Sequence, residues 1–346
     1  MLSIGIIGAT GYTGLELVRL LLHHPEVKIS VLTSEKSAGK KFSEVFPSFQ
    51  GKIDLILEPL NPEAIAPKVK CVFLCLPHQQ AMDAAKAFLQ KKIPVIDLSA
   101  DFRLSAAEVY EAWYGPHRCH ELLKEAVYGL PELHREQIKK ASLVANPGCY
   151  PTSCILGLAP LIKNKFIDLA TIHCDSKSGV SGAGRNVEAT NLFCEVNEGL
   201  KAYKVGVHRH TPEIEQEISR LAGENVVVSF TPHLVPMNRG ILSTLYASVK
   251  KKLDAPALHR IYQDFYGKEP FVRVRPLGSF PGTQDVCMTN YCDIGVHLDE
   301  RTGRCVIVSA LDNLVKGASG QAVQNMNLMH GMAETAGLSY VAPYPG

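Results

Sequence analysis

Cys149 stands in the run Ala145-Asn146-Pro147-Gly148-Cys149-Tyr150-Pro151-Thr152, which reads as a turn that delivers one thiol to the start of a helix. The apolar residues Ile155, Leu156, Leu158, Ala159, Leu161 and Ile162 that follow can bury one helical face. Pro151 suits a first helical turn, where the N–H it lacks would have had no partner. A thiol at that end meets the positive pole of the helix dipole and backbone donors, and both favour the thiolate. The chemistry this predicts is nucleophilic. A thiolate attacks an activated acyl group, and the thioester accepts or has donated a hydride.

Such a reaction needs a proton-transfer group, donors for an oxyanion and cations for an anionic substrate. His208 and His210 lie in Val207-His208-Arg209-His210-Thr211-Pro212-Glu213-Ile214, just before a predicted helix with Thr211 as N-cap and Pro212 as first residue. Spacing alone leaves open which histidine acts. The sequence offers no third ligand cluster beside them, so the pair reads as catalytic and no metal is expected. The loop Ser176–Arg185, rich in glycine and hydroxyls (Ser178, Gly179, Gly182), can bring backbone N–H groups and Arg185 to a substrate or nicotinamide. Arg103, in Asp97-Leu98-Ser99-Ala100-Asp101-Phe102-Arg103, suits a forked clamp on phosphate or carboxylate, or else a salt bridge to Asp101. Asn313 introduces the last helix, whose start can face a cofactor.

The redox partner is written at the N-terminus. Gly8-Ala9-Thr10-Gly11-Tyr12-Thr13-Gly14 follows the apolar strand Leu2–Ile7 and opens a helix, which is where a glycine turn lets the backbone approach a pyrophosphate. At the end of the second predicted strand the chain reads Thr33-Ser34-Glu35-Lys36-Ser37. An acid there suits a ribose 2′-OH, whereas hydroxyls and cations suit a 2′-phosphate. Ser34, Lys36 and Ser37 outweigh Glu35, and NADP(H) is the expected cofactor.

The elements that must hold these groups fall into two sets. Strands at Leu2–Ile7, Val27–Thr33, Lys70–Leu76 and Pro94–Leu98 alternate with helical stretches at Leu15–His23 and Gln80–Leu89, predicting a parallel sheet of Rossmann type. After Cys149 the period changes to two over Thr171–Ser176, Val226–Leu234, Ile241–Lys250, Phe271–Val274, Asn290–Leu298 and Cys305–Ala310, with helices near Pro212–Arg220 and Ala255–Tyr266. This predicts an α+β catalytic domain with a mixed or antiparallel sheet. The expected division is 1–147, with a C-terminal helical segment 314–346, and 148–313.

A chain of 346 residues has room for two such domains, and its net charge of +2 argues against a nucleic-acid or membrane surface. No apolar run matches a membrane span, and no basic leader precedes the first strand. The ten cysteines form no CxxC pair, which points to reduced thiols and a cytoplasmic protein.

The motifs GATGYTG (8–14), LPH (76–78), LSADFRL (98–104), YGLPEL (128–133), NPGCYPT (146–152), SGVSGAGR (178–185), HRHTPEI (208–214) and DNLVKGA (312–318) run in order over nearly the whole chain. Together they resemble the N-acetyl-γ-glutamyl-phosphate reductases of arginine biosynthesis. The resemblance implies NADPH-dependent reduction of an acyl phosphate to a semialdehyde, the architecture of aspartate-semialdehyde dehydrogenases and a homo-oligomer, tetramer or dimer. It makes Cys149 the nucleophile and His208 the acid/base, with His210 the alternative for that role, and it sets His210, Arg103 and Arg185 toward the substrate. Cofactor contacts then fall on Gly8, Thr10, Gly11, Tyr12, Thr13, Gly14, Ser34, Lys36, Ser37, Leu76, Pro77, Ser178, Gly179, Gly182 and Asn313. Family members commonly carry an arginine where this chain has Ser34-Glu35-Lys36. The nearest alternative is the same chemistry on the one-carbon-longer aminoadipyl phosphate of lysine biosynthesis, and a non-catalytic dinucleotide sensor is the alternative of another class.

Overall fold

In the computed structural model, which describes residues 1–185 and 187–344, the first strand runs from Leu2 to Ile7 with Ile4, Ile6 and Ile7 fully buried. A strand buried on both faces belongs inside a parallel sheet, and the chain builds one. In chain order the strands are β1 (Leu2–Ile7), β2 (Val27–Thr33), β3 (Leu57–Glu58), β4 (Cys71–Leu74), β5 (Val95–Asp97), β6 (Val127–Tyr128) and β7 (Leu143–Ala145). Their order across the sheet is β3-β2-β1-β4-β5-β7-β6, and every pairing is parallel. The order reverses between β1 and β4, where doubly wound sheets bind their ligands. The helices α1 (Tyr12–Leu21), α2 (Ala81–Gln90), α3 (Ala107–Tyr114) and α4 (Pro131–Ile138) connect these strands. This unit comprises Met1–Pro147 and Ala318–Ser339, the latter holding the helix Gly320–Met329.

The second unit, Gly148–Gly317 with the chain end from Tyr340, contains α5 (Cys149–Lys163), α6 (Thr211–Ala222) and α7 (Ala255–Tyr266). Its strands are β8 (His173–Gly179), β9 (Lys201–Ala202), β10 (Ser229–Val235), β11 (Ile241–Ser248), β12 (Val272–Val274), β13 (Cys292–Asp299) and β14 (Arg304–Leu311). They form a mixed sheet in the order β12-β13-β14-β11-β8-β10-β9, with β8/β10 and β12/β13 parallel and the other pairs antiparallel.

Helix α5 lies close on this sheet because Gly157 has no side chain: a Cβ there would fall 2.3 Å from Leu245 Cδ1. Buried hydroxyls add a polar seam, with Ser153 Oγ donating to Ser243 Oγ at 2.8 Å and Ser176 and Ser243 bonded at 2.7 Å. Pro160 interrupts the hydrogen-bond ladder inside α5, since proline lacks the N–H that would reach Leu156. The Tyr266 hydroxyl donates to Leu156 O at 2.5 Å, and Tyr262 donates to Gly157 O at 2.6 Å. Tyr266 of α7 thus supplies the donor that Pro160 cannot, and Tyr262 adds one at the next carbonyl.

The final helix differs from the expectation. The segment expected to run helically from Leu314 starts as a π-turn over Val315–Ser319, and the α-helix covers only Gly320–Met329. Residues 314–317 and the chain end from Tyr340 group with the second unit, while 345 and 346 of the expected segment lie outside the described residues. The cause is local: the Gly317 N–H reaches back five residues to Asp312 O at 2.9 Å, which fixes a wide turn.

Candidate active site

Cys149 is the first residue of α5, half-buried, and no side chain caps the helix start. The N-cap, Gly148, is extended with φ −70° and ψ 155°. Its N–H donates to Glu213 Oε1 at 2.7 Å. Glu213 lies in the first turn of α6 and is 1% exposed, so one buried carboxylate sits at the starts of two helices, where the dipoles favour it. The Gly148 carbonyl accepts from both the N–H and the hydroxyl of Thr152 at 3.0 Å. On the other side the π-turn brings Gly317 against Cys149: a Cβ at 317 would fall 2.8 Å from Cys149 Cβ. Burial pushes Cys71 and Cys75 up to about 12 and Cys305 up to about 11, which keeps them protonated.

The two histidines lie beside the residue that follows Cys149. The Tyr150 ring meets His208 edge-on at 5.5 Å and His210 at 5.9 Å. Tyr203 and Phe230 complete the cage around His208, at 5.5 and 5.4 Å. His208 Nδ1 accepts from the His210 backbone N–H at 3.1 Å, and Nε2 lies 3.4 Å from the Tyr203 hydroxyl. Burial pushes His208 down to about 4, with Lys204 and Arg209 adding to the effect, so the ring is neutral near pH 7. His210 is half-buried, and Thr211 is the first residue of α6 rather than its cap.

The glycine loop is tied to the same unit's framework. Gly179 is required by a close approach, because a Cβ there would fall 2.7 Å from Asn238 O. Gly182 packs near Ser178 Oγ and the Asn313 amide. Asn313 accepts from Gly240 N–H at 2.7 Å and donates to Ser181 Oγ at 2.9 Å, so its amide braces two loops. Its neighbour Asp312 pairs with Arg239 at 3.0 Å and accepts from Met288 N–H at 2.7 Å. Arg185 is exposed.

The remaining predicted residues belong to the first unit. Gly8 has φ +86°, and a Cβ there would strike Cys75 O at 2.4 Å and approach Leu76 Cδ2 to 3.4 Å. A Cβ at Gly14 would fall 2.6 Å from Gly8 O, so the third glycine lets α1 close on the turn. Gly11, the N-cap of α1, has nothing nearer than 3.8 Å, and no side chain caps the helix. Open space over a glycine and a helix start is what a pyrophosphate needs, so these residues fit a dinucleotide. Thr13 and Tyr12 form the first turn of that helix, and Thr10 Oγ1 bonds Ser34 Oγ at 3.1 Å, linking the turn to the end of β2. Glu35 is engaged elsewhere, accepting from Leu60 N–H at 2.9 Å, while Lys36 is exposed and Ser37 half-buried. Pro77 begins the turn after β4, its carbonyl accepting from Gln80 N–H.

Arg103 holds the main chain in this unit. Nε donates to Asn146 O at 2.7 Å and Nη2 to Leu98 O at 2.8 Å. Asp101 is taken up by Gln79 N–H, Ala81 N–H and the Tyr110 hydroxyl. Asn146 is held further by Asn325 and by its own donation to Ala318 O. Asp97, buried at the end of β5, is pushed up to about 7 chiefly by burial and then by Asp101.

Residues 3–141 match the semialdehyde dehydrogenase NAD-binding domain, and residues 149–313 match the semialdehyde dehydrogenase dimerisation domain. N-acetyl-gamma-glutamyl-phosphate reductases from Pelobacter propionicus and Geotalea daltonii are 59% and 58% identical to this chain, each over the full length of both proteins. The chain belongs to the N-acetyl-γ-glutamyl-phosphate reductase family. The reductase fold is shared with aspartate semialdehyde dehydrogenase II from Vibrio cholerae in complex with ASA, at TM-score 0.71 and 18% identity over 96% of this chain and 98% of that one. It is shared too with the Candida albicans aspartate semialdehyde dehydrogenase solved with NADP, at TM-score 0.68 and 17% identity over 95% and 98% of the two chains.

Within this reductase, sequence reasoning assigned no role to Glu213 or Gly317, although both stand inside motifs it singled out. A glycine in a helical stretch was the available signal for Gly317. For Tyr203 and Asp312 no local signal exists, because their roles arise from distant pairing.

Proposed function

We propose that the protein reduces N-acetyl-γ-glutamyl phosphate to N-acetylglutamate 5-semialdehyde with release of phosphate, as a cytoplasmic homo-oligomer that uses NADPH. The observation that carries this reading is Cys149 at the start of α5, its preceding glycine held by a buried carboxylate. The names of relatives at 54–59% identity over 98% or more of the chain support the substrate.

Cys149 attacks the acyl carbon as thiolate. Main-chain N–H groups at the helix start, including its own, hold the oxyanion, and phosphate leaves with the C–O bond. NADPH, when bound, would supply a hydride to the thioester carbon, leaving a hemithioacetal on Cys149. The hemithioacetal on Cys149 then breaks to free aldehyde and thiolate. His208 is the proton-transfer group, and His210, half-buried beside it, lies toward the substrate. Arg185, exposed on the glycine loop, offsets substrate charge, whereas Arg103 positions Asn146 ahead of the nucleophile. Lys36, Ser34 and Ser37 form the 2′-phosphate contact, a reading supported by Glu35 being bonded to Leu60.

The test is phosphate-dependent reduction of NADP by N-acetylglutamate 5-semialdehyde, repeated with NAD and with the one-carbon-longer semialdehyde. Turnover at least tenfold faster with the shorter aldehyde and NADP is expected. Preference for the longer aldehyde would overturn the substrate, and NAD preference the cofactor.

A further inference from the structure

The hydrogen bonds around His208 form a chain whose two ends cannot change character. At one end the Tyr150 hydroxyl donates to the His233 carbonyl at 3.2 Å, and a carbonyl only accepts. The single Tyr150 proton is therefore spent, so its oxygen accepts from the Tyr203 hydroxyl at 3.2 Å. That spends the Tyr203 proton in turn. The contact between Tyr203 Oη and His208 Nε2 at 3.4 Å then has one possible donor, Nε2–H. At the other end the His210 backbone N–H, which only donates, meets His208 Nδ1 at 3.1 Å. Both ends require the same tautomer.

We propose that Tyr203 and Tyr150 are positioning residues that hold the His208 imidazole with its proton on Nε2 and its lone pair on Nδ1. The proposal rests on His208 being the proton-transfer group only for its catalytic consequence, since the tautomer is a property of the protein itself. Tyr150 is 2% exposed and His208 9%, so bulk water does not compete for these bonds. Burial pushes Tyr203 up to about 12 and raises Tyr150 further, so both hydroxyls keep their protons. A negative charge on Cys149 raises both, which ties the chain to the nucleophile. The charged and titratable groups facing the ring are Lys204, Arg209, His210, Tyr150 and Tyr203. None of these is an acid that would draw a second proton onto Nδ1. The ring thus keeps its one N–H on Nε2, bonded to Tyr203 Oη, and its lone pair on Nδ1.

The experiment is nitrogen NMR of the full-length protein labelled with 15N-histidine, His208 being assigned from the spectrum of His208→Gln. At pH 7.5 the wild type should show a protonated Nε2 and a pyridine-like Nδ1. Tyr203→Phe leaves the His210 N–H on Nδ1 but removes the acceptor of Nε2–H, so the share of the Nδ1-protonated tautomer should rise measurably in the ring-nitrogen shifts, with kcat lowered about tenfold and KM for the semialdehyde within about twofold. A protonated Nδ1 in the wild type overturns the proposal, as does an unchanged spectrum and kcat in Tyr203→Phe. The wild-type spectrum needs no variant to fold and no turnover, so failure of the proposed reaction would leave this result standing.

Discussion

Gly317 lies against Cys149: a Cβ placed on it falls 2.8 Å from Cys149 Cβ and 3.2 Å from Cys149 Cα. Neither atom can swing aside, because both belong to the first residue of α5. Gly317→Ala should therefore displace Cys149 and lower kcat at least about tenfold, with an overpacking cost of about 1–3 kcal/mol. NADPH affinity should change little in a fluorescence titration, because Gly317 is not among the proposed cofactor contacts. Wild-type kcat in this variant would show that the π-turn does not fix the thiol.

Glu213 should matter through Gly148. Glu213→Ala leaves a buried N–H without its acceptor, at a cost of about 1–3 kcal/mol, whereas Glu213→Gln keeps an acceptor oxygen and should be milder. Urea denaturation of both variants beside kcat measures this. Equal loss in the two would mean that the charge, not the hydrogen bond, holds the turn.

Tyr266→Phe isolates stability from chemistry. The variant removes the donor to Leu156 O, the carbonyl that Pro160 cannot serve. We expect a loss of about 1–3 kcal/mol with kcat unchanged, since the tyrosine acts on the middle of α5. Thermal melting beside a rate assay separates the two effects.

His208 makes stability depend on pH. Its folded value of about 4 lies below the ordinary 6.5, so the unfolded chain binds the extra proton in between. The contribution is complete above 6.5 and is lost as pH falls toward 4, on the order of a few kcal/mol at most. His208→Asn should flatten that part of the stability curve measured by urea denaturation. A parallel curve would contradict it.

Much of the architecture was legible from period and punctuation. Leu2–Ile7 is a nearly continuous apolar run, Val27–Thr33 sets Val27, Ile29, Val31 and Leu32 around Lys28 and Ser30, and Ala255–Tyr266 has Pro256 in its first turn after the Asp254 cap; all three have the expected bounds. Elements such as β6, β7 and α3 escaped notice because two or three residues carry no period, and α3 has little apolar contrast beyond Tyr110. Cys149 was visible because helix start, proline and apolar run agree locally. Arg103 was harder. A forked guanidinium beside acids suggests a clamp or an ion pair, yet Nε and Nη2 reach two backbone carbonyls that become neighbours only when β5 and β7 pair. Glu213 likewise gains its role from the contact of two helix starts 62 residues apart in sequence numbering (149 and 211).

The central claim is that Cys149 carries the acyl group. The most direct measurement is mass spectrometry of the intact protein incubated with N-acetylglutamate 5-semialdehyde and NADP in the absence of phosphate. The aldehyde adds to the thiol, the hemithioacetal loses hydride to NADP, and a thioester remains. We predict one acyl adduct per chain, mapped to the peptide containing Cys149, absent in Cys149→Ser and discharged on adding phosphate. No adduct on Cys149 while phosphate-dependent NADP reduction proceeds, or normal turnover by Cys149→Ser, would contradict the account.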